Sequence, residues 1–501
     1  MIARTTTFPM AERSLALGLL VIMLAAPAGA DEFHDHTFRF GQRAMAMGGA
    51  VVGSVDEPTA SYYNPAGLAW LRGAIFSGAV QFYGTDERTV VGGLRARDFE
   101  PRDLSSESFL ALPSSSVITH ALGKGRHRIA YSTFMLSDVD DNFGGTFNAD
   151  WQRDNGDQVD MVLHGGRRLK DRIVLIGPSW SWRATDTLAV GLSAFYARRD
   201  QTVDTWSDYQ EDHTDAKTGA PIRSIFFDDR VTTTMADGSV FARLGIMWRP
   251  SDAWSMGMTL DSTSLQLHGD ASVYAKYSQS GDPDAVDPMD QQPQRGTESY
   301  DGYEARTEHA WSAAAGFAWR PNPALMISTS AWLALPMDYK RNSFGEAEAT
   351  ELQVVSVVQR QLGWNAAAGI EWLTTPNWPL RVGFFTNRAA SADLPEVSNV
   401  PLAPHVDMYG VTFSAGYKDG SRAANIGAEL QWGGGHDMVA KGVDQDASNR
   451  GWVRATREEF RFVFFMSGAM ALAKKEAKGF IMKKIKELKA PPKEGGAPPA
   501  P

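Results

Sequence analysis

Apolar residues alternate with small or polar ones along most of this chain. In the stretch from 174 to 182 they hold the even positions, which are Val174, Ile176, Pro178, Trp180 and Trp182. After a short turn at 184–186, the alternation resumes over 188–196. A period of two residues places successive side chains on opposite faces of a strand, so this pattern predicts β-strands with one apolar face.

The same hairpin recurs several times, and its connections fall into two kinds. Turns of two to five residues alternate with long polar connections at about 199–238, 261–310, 336–361, 389–407 and 433–456. Trp and Tyr tend to stand at the strand ends. Short turns on one side and long loops on the other are typical of an outer-membrane β-barrel. A soluble β-sandwich, the alternative, does not normally confine its long loops to every second connection.

We therefore predict an all-β fold, a transmembrane antiparallel β-barrel of about fourteen strands that spans residues 74–468. An even number of strands places both ends of the barrel on the periplasmic side. The predicted strands lie near 74–84, 106–122, 126–137, 172–183, 187–198, 238–249, 253–265, 309–320, 324–335, 361–373, 379–388, 408–417, 424–433 and 457–468. Residues 158–169 are expected to add strand pairing within a loop.

The first thirty residues predict an export signal peptide. Arg4 and Arg13 make the start positive, residues 14–26 form a short apolar run, and 28–30 read Ala-Gly-Ala. Such a run is too short for a membrane helix, and the small residues after it are typical of a cleavage site. The mature chain is expected to begin at Asp31. An uncleaved N-terminal anchor is the alternative.

Composition narrows the possible functions further. The 501 residues carry a net charge of −10 and contain no Cys. The missing thiols exclude disulfides, a thiol nucleophile and thiolate metal sites. The folded body has no basic stripe, which argues against nucleic acid as a partner. We find no recognisable catalytic or metal-binding motif, so the chain is expected to be neither an enzyme nor a cofactor-binding protein.

Residues 31–73 precede the first strand and are too irregular to cross a membrane. They are rich in Gly and Ala and contain a Pro turn. A barrel of fourteen strands has room for an aqueous hole, and the lumen-facing positions are often Gly, Ala or Ser, which leave space for another backbone. We predict that this segment, here called the hatch, plugs the lumen. A periplasmic tail is the alternative.

Two stretches of the hatch resemble a known family. Residues 40–50 read FGQRAMAMGGA, and residues 60–68 read ASYYNPAGL after the acidic stretch 55–59. Their order, their spacing and their position after the signal peptide are similar to the start of the FadL/TodX (OMPP1) family of outer-membrane transporters of hydrophobic compounds. The strands match that family in style and number over nearly all of the mature chain.

The resemblance implies a mechanism as well as a fold. In that family, long-chain fatty acids or aromatic hydrocarbons land in a groove among the third and fourth extracellular loops, here about 199–238 and 266–308. The ligand then passes to an interior pocket, and shifts of the hatch open a route that is thought to leave sideways at a kinked strand. No energy source is needed. In this chain both loops carry many Asp residues, and the barrel is followed by more than thirty residues.

The motif Asn64-Pro65-Ala66 suits a tight turn, because Pro fixes φ and Asn hydrogen-bonds its own backbone. It can act as a hinge of the hatch beside a ligand pocket or as a purely structural turn, and the sequence favours neither. Strand parity also places a set of large or charged side chains in the lumen. These candidate ligand-binding residues are Phe195, Phe241, Arg243, Met247, Met326, Trp332, Arg381, Phe385 and Arg461.

The charged members of that set have two interpretations. An Arg can hold a ligand carboxylate in a bidentate pair. Alternatively, it can form a salt bridge between the wall and the hatch, together with Glu371 or Glu429. We favour the salt bridge, because buried charges need partners and these can satisfy each other. The large apolar members fit either an apolar ligand path or packing against the hatch.

Residues 469–501 form a further segment after the barrel. Residues 471–488 permit a Lys-rich helix with a partial apolar face, and residues 491–501 are Pro-rich. The tail is expected on the periplasmic side, where it either contacts an anionic surface or a periplasmic partner or stays a solvated tail.

The sequence thus predicts passive uptake of hydrophobic small molecules, such as long-chain fatty acids or aromatic hydrocarbons, across the outer membrane of a Gram-negative bacterium. Its expected partners are the ligand, outer-membrane lipid and lipopolysaccharide, and the barrel assembly machinery. The alternative is a non-transport barrel that serves as an assembly or secretion partner at the outer membrane.

Overall fold

The structure is a computed structural model that describes residue 34 and residues 38–95, 100–122, 125–153, 155–280, 293–344, 357–399, 402–440 and 451–472. The predicted signal peptide at 1–30 and the tail from 473 onward lie outside the described residues. In this part of the chain, no helix is long and apolar enough to cross a membrane.

Nineteen strands, three short helical turns and their connections make up the described chain. The helical turns are α1 (Gln42–Ala46), α2 (Ala60–Tyr63) and a 3₁₀ turn (Pro65–Trp70). The strands are β1 (Ala74–Leu94), β2 (Arg102–Leu122), β3 (His127–Gln152), β4 (Gln158–Arg183), β5 (Leu188–Thr214), β6 (Pro221–Ser251), β7 (Trp254–Asp261), β8 (Leu265–Gln279), β9 (Gln294–Tyr303), β10 (Ser312–Asn322), β11 (Leu325–Ala334), β12 (Met337–Lys340), β13 (Val357–Arg360), β14 (Gly363–Thr375), β15 (Trp378–Asn387), β16 (Val397–Ser398), β17 (His405–Lys418), β18 (Arg422–Ala440) and β19 (Trp452–Leu472).

Fourteen of these strands close into one antiparallel ring. Each barrel strand pairs with the next one along the chain, and β1 closes the ring against β19 from Ala74↔Leu472 to Val90↔Arg457. Across the fourth long loop, β7 pairs directly with β10, starting at Asp261↔Ser312. The strands β8, β9, β12, β13 and β16 lie outside the ring, within the loops. The prediction of a fourteen-stranded transmembrane barrel is confirmed.

The outer face of the ring is apolar in a continuous band. On β7, for example, Trp254, Met256, Met258 and Leu260 point outward and are 40–64% exposed. Trp and Tyr residues end many of these rows, as at Trp182, Trp248, Trp319, Trp378 and Trp432. So large an exposed apolar surface is stable only against lipid, and aromatic residues at its edges are typical of the two membrane interfaces.

One part of the sequence prediction was wrong, because several predicted loops are mostly strand. Strands β3 to β6 are 26, 26, 27 and 31 residues long, and the region 199–238 pairs as far as Thr214↔Pro221. Many outward positions there carry charged residues. Arg230 pairs with Asp204 and Arg168 with Asp140 across neighbouring strands. The period of two persists in polar residues, so hydropathy alone could not reveal these strands.

The end of the barrel also differs from the prediction. The last strand, β19, continues to Leu472, so residues 469–472 belong to the wall and not to the C-terminal tail. They pair with the start of β1, where Ala469 is opposite Ser77. Gly468 and Ala469 are small and weakly apolar, and for that reason the alternation ends earlier in the sequence than in the structure. The rest of the predicted helix 471–488 lies outside the described residues.

Residues 38–73, the described part of the hatch, lie inside the ring. Most of their side chains are fully buried, including Phe40, Met45, Met47 and Leu68. The largest buried cluster joins hatch residues such as Phe40 and Tyr62 to Phe134 and Phe195 of the wall. The core of this protein is therefore the contact between the hatch and the lumen side of the barrel.

Candidate ligand cavity

The hatch is held in place by the motif that the sequence marks as a turn. Asn64 is fully buried, and its side-chain amide donates to the carbonyl oxygens of Val52 and of Ile246 in β6, both at 3.0 Å. Its side-chain oxygen accepts from the backbone N–H of Ala66 at 3.2 Å. Pro65 begins the 3₁₀ turn, where no intrahelical N–H is needed. The motif thus links two parts of the hatch to the wall.

Glycines of the wall make room for the hatch backbone. Gly191 is opposite Gly245, Gly257 is opposite Gly316, and Gly369 is opposite Gly383 on neighbouring strands. A Cβ on any of these six residues would lie 2.2–2.6 Å from a hatch atom. Real Cβ atoms do not approach that closely, so only glycine fits at these positions. The small lumen residues seen in the sequence have this function.

Two ion-pair groups join the hatch to the wall. Arg43 of α1 contacts Glu371 of β14 at 3.2 Å, and Glu371 also accepts from Arg381 of β15 at 2.7 Å. Arg39 contacts Glu429 of β18 at 2.8 Å, with side chains that are 3% and 8% exposed. These contacts are salt bridges between the wall and the hatch, which is the interpretation that we favoured for the charged lumen residues. A buried charge that loses its partner is costly, so these pairs resist displacement of the hatch.

Above the hatch, the lumen contains a cavity of about 120 Å³. It lies level with the upper ends of β7, β10 and β11, which have only 8, 11 and 10 residues. Its walls are more apolar than polar, and aromatic rings contribute much of them. Phe241 stacks on His309 with ring centroids 4.5 Å apart, while Tyr62 comes from the hatch and Trp332 from β11.

Two arginines of the cavity, Arg243 and Arg199, are already paired with aspartates. Arg243 makes a bidentate pair with Asp261 at 2.6 and 2.7 Å and also donates to the carbonyl oxygen of Tyr62. Arg199 is paired in the same way with Asp171, at 2.5–3.1 Å. A carboxylate that bound to either arginine would have to displace an aspartate, so these two pairs favour an uncharged occupant beside them.

The structure divides the sequence-predicted lumen residues into three groups. Phe241, Arg243 and Trp332 line the cavity. Phe195, Met247, Met326, Arg381 and Phe385 are buried deeper, against the hatch or its ion pairs. Arg461 does neither, because it pairs with Asp86 of β1 at 2.6 Å, further along the barrel. Parity gave the correct face for all of them but could not give their height along the barrel axis.

The sequence analysis did not identify some of the residues that line the cavity. Asp261 ends β7 and continues its alternation on the inward side, so parity could have found it. His309 comes from the loop segment between β9 and β10, where its backbone N–H donates to Ser264 at 2.8 Å. That segment has no periodicity, and nothing in the sequence indicates that His309 stacks on Phe241. Ala314 of β10 likewise gives no signal, because small residues are common in the lumen.

The extracellular part of the lumen is filled by inward-facing side chains of the wall. Inward-facing charges form a buried layer that includes Arg88, Asp141, Asp437 and Arg457. Burial raises the pKa of Asp141 and that of Asp437, although Arg88 and Arg457 lie beside them. Beyond this layer, the long strands enclose a second apolar cluster of ten buried residues, Phe147 among them. The apolar side chains there contact each other, so they form a packed core.

Two solved structures of other proteins share this fold. A Pseudomonas aeruginosa FadL homologue superposes with a TM-score of 0.53 over 88% of this chain and 100% of its own, at 14% identity. The Pseudomonas putida toluene transporter TodX gives a TM-score of 0.52 over 87% and 98%, also at 14% identity. The chain has the FadL-type fold. No protein-family model matches the sequence, and no curated protein matches it.

In this FadL-type barrel, one seam between neighbouring strands is incomplete. The described pairing between β2 and β3 ends at Ser115↔Phe134, whereas β3 continues to pair with β4 as far as Gln152↔Gln158. A bulge between Met135 and Ser137 bends β3 at the point where the two strands part. Leu136 and Ser137 at this bulge also line the cavity. The cavity therefore reaches the wall at an interrupted seam.

Proposed function

We propose that this chain is an outer-membrane channel for passive uptake of hydrophobic small molecules, with the hatch as its gate. The observation that carries the proposal is the mostly apolar cavity between the hatch and the short strands β7, β10 and β11. Large apolar residues in a lumen do not suit a water-filled porin, whose interior is polar. The structures that share this fold are described as a FadL homologue and a toluene transporter, which supports transport rather than catalysis.

The size and the charges of the cavity favour small neutral compounds. An engineered protein cavity of about 150 Å³ binds benzene, and the cavity here has about 120 Å³. Arg243 and Arg199 are both held by aspartates. A one-ring aromatic compound therefore fits better than the carboxylate of a long-chain fatty acid. This interpretation narrows the two substrate classes that the sequence left open.

The incomplete seam between β2 and β3 offers a sideways exit from the cavity. A ligand that leaves there passes Leu136 and Ser137 into the lipid without crossing the space that the hatch fills. Movement of the hatch at Tyr62 would widen the path, because Tyr62 belongs to the cavity wall and to the hatch at once. No energy source is required, since the ligand moves down its own gradient.

The test is the initial rate of uptake by a Gram-negative deletion strain, with and without a plasmid that carries this chain. The panel contains toluene, an n-alkane and a long-chain fatty acid, each radiolabelled. We expect the plasmid to raise toluene uptake most and fatty-acid uptake least. Equal rates with and without the plasmid for all three compounds would refute transport, and a rise for the fatty acid alone would refute the neutral-ligand specificity.

A further inference from the structure

One polar side chain on the cavity wall has no hydrogen-bond partner within the described part of the protein. Ser137, which follows the bulge of β3, faces the lumen, is 2% exposed and lines the cavity. Its hydroxyl group neither donates to nor accepts from any described residue. A buried hydroxyl without a partner is costly, because it has given up its hydrogen bonds to water. Since Ser137 lines the cavity, a molecule that enters there can supply the missing bond.

The surroundings of Ser137 do not explain a hydroxyl at this position. Ile173 of β4 is directly opposite Ser137, and Leu136, Leu175 and Ala197 line the same side of the cavity. All of these neighbours are apolar. An alanine would fit among them without the cost of an unpaired hydroxyl, so packing alone does not account for the serine.

Two other hydroxyl groups on the cavity wall are already engaged within the protein. Ser312 donates to Asp261 at 3.0 Å, and Thr307 donates to Asp237 at 2.8 Å. Buried serine hydroxyls without a partner also occur elsewhere in the described chain. Ser181 is one of them, but it lies near the periplasmic end of β4 and does not line the cavity. Ser137 thus combines a buried, unpaired hydroxyl with access to the cavity.

The rest of the cavity suits an aromatic ring. The rings of Phe241 and His309 stack with centroids 4.5 Å apart, and Tyr62 and Trp332 also line the cavity. Such side chains contact a ligand ring by stacking or edge to face. The volume of about 120 Å³ leaves room for one ring with a small substituent. Because the arginines of the cavity are paired with aspartates, a neutral substituent is favoured over an ionised one.

We propose that Ser137 hydrogen-bonds the hydroxyl group of a neutral phenol with one ring, so that the cavity accepts hydroxylated aromatic compounds as well as hydrocarbons. The inference rests on the transport function proposed above and names a substrate class for it. A serine hydroxyl both donates and accepts, so it can bond a phenol in either direction. An apolar cavity without such a partner would reject a phenol, because the ligand hydroxyl would lose its bonds to water. Ser137 removes that penalty.

The test compares p-cresol with toluene, which has the same ring and methyl group but no hydroxyl. The full chain is placed in lipid nanodiscs, and binding of each radiolabelled compound is measured by equilibrium dialysis. Nanodiscs without protein give the correction for partition into lipid. Ser137→Ala removes the hydroxyl and little volume. Ser181→Ala is the matched control, because it removes an equally buried and unpaired hydroxyl outside the cavity. Heat-modifiability on gels reports that each variant has folded.

We expect the native chain to bind p-cresol at least as tightly as toluene. Ser137→Ala should weaken p-cresol binding about tenfold, because the ligand hydroxyl then stays buried without a partner, and it should leave toluene binding unchanged. Ser181→Ala should bind both compounds like the native chain. If Ser137→Ala weakens both compounds equally, or weakens neither, Ser137 does not hold a ligand hydroxyl and the inference is overturned.

The uptake assay separates this inference from the transport function. If cells with the plasmid take up toluene but p-cresol binding does not depend on Ser137, the phenol site is refuted and the transport function stands. If the nanodiscs with the native chain bind neither compound, the phenol site is refuted as well. The transport function then fails with it only if toluene uptake is also absent.

Discussion

Gly383 lies against Met47 so closely that a Cβ on the glycine would stand 2.2 Å from the carbonyl carbon of Met47. This contact joins the hatch backbone to strand β15 without any side chain between them. Gly369, directly opposite on β14, also lies against Met47, since a Cβ there would stand 2.6 Å from the Met47 Cβ. The position of the hatch is thus fixed by the absence of side chains on the wall as much as by any bond.

We predict that Gly383→Val displaces the hatch. Insertion of bulk into a packed contact costs about 1–3 kcal/mol, and here the neighbouring atoms are backbone and cannot rotate away. The barrel itself should still form, since its ladder is intact. Ion conductance in planar bilayers should therefore rise while heat-modifiability is kept. The control is Gly420→Ala, because nothing lies within 4 Å of a Cβ at that turn. Native conductance in Gly383→Val would contradict the packing account.

Asn64→Ala tests the turn that anchors the hatch. The substitution leaves the carbonyl oxygens of Val52 and Ile246 and the N–H of Ala66 without their partner. A buried polar group without a partner costs about 1–3 kcal/mol. We expect a lower unfolding midpoint in urea and a more protease-sensitive hatch. Ser421→Ala, in an exposed turn, is the control. If the protease sensitivity of the hatch stays native, Asn64 is not its anchor.

We expect Glu371→Gln to weaken the attachment of the hatch to the wall, because it removes the negative charge of a buried ion pair. Arg43 and Arg381 share this carboxylate, and removal of one partner of a buried pair costs about 3–5 kcal/mol. A double variant, Glu371→Leu with Arg381→Met, removes two charges and leaves Arg43 with Asp56. We expect the double variant to unfold at a higher urea concentration than Glu371→Gln. The reverse order would show that the network contributes little to stability.

Ala314→Leu tests where the ligand binds. Ala314 is 6% exposed and lines the cavity, whereas Ala315, the next residue of β10, faces the lipid. The larger side chain at 314 takes up cavity volume, so the rate of toluene uptake should fall well below the native rate. Ala315→Leu is the matched control and should keep native uptake. Similar rates for both variants would place the ligand path elsewhere.

The extracellular strands should respond to pH through Asp208. Burial, together with a hydrogen bond and charge repulsion from Asp228, raises the pKa of Asp208 above its ordinary value. The folded strands therefore bind this proton more tightly than the unfolded chain. The contribution of this group to the stability of the strands is therefore present at low pH and is lost as the pH rises through the raised pKa.

We expect Asp208→Asn to resist proteolysis around residues 198–240 better than the native chain at pH 7, and to match the native chain at pH 4, where Asp208 carries its proton more often. Asp186→Asn, in a periplasmic turn, is the control. An unchanged pH difference in Asp208→Asn would show that other groups govern the stability of these strands.

The barrel could be predicted from the sequence because its outer face must meet lipid. Alternate residues from Trp254 to Leu260 are apolar, and this alternation shows directly that one face of the strand meets lipid. The extracellular continuation of β5 and β6 could not be predicted, since ion pairs such as Arg230 with Asp204 replace the apolar face. Strand pairing there depends on neighbours that are distant in sequence.

The cavity was predictable only in part. Parity placed Phe241, Arg243 and Trp332 in the lumen, but it could not separate them from Met247 or Phe385, which pack against the hatch. Height along the axis depends on the stagger between strands, and the sequence does not encode that stagger locally. His309 comes from an irregular segment, and only the fold brings it to Phe241.

The most direct measurement is an experimental structure of the native chain, purified in a mild detergent and equilibrated with toluene. The account predicts ligand density inside the barrel, in contact with Phe241 and Trp332 and above Tyr62 of the hatch. An ordered hatch together with a cavity that holds only water, at a toluene concentration that saturates uptake, would contradict it.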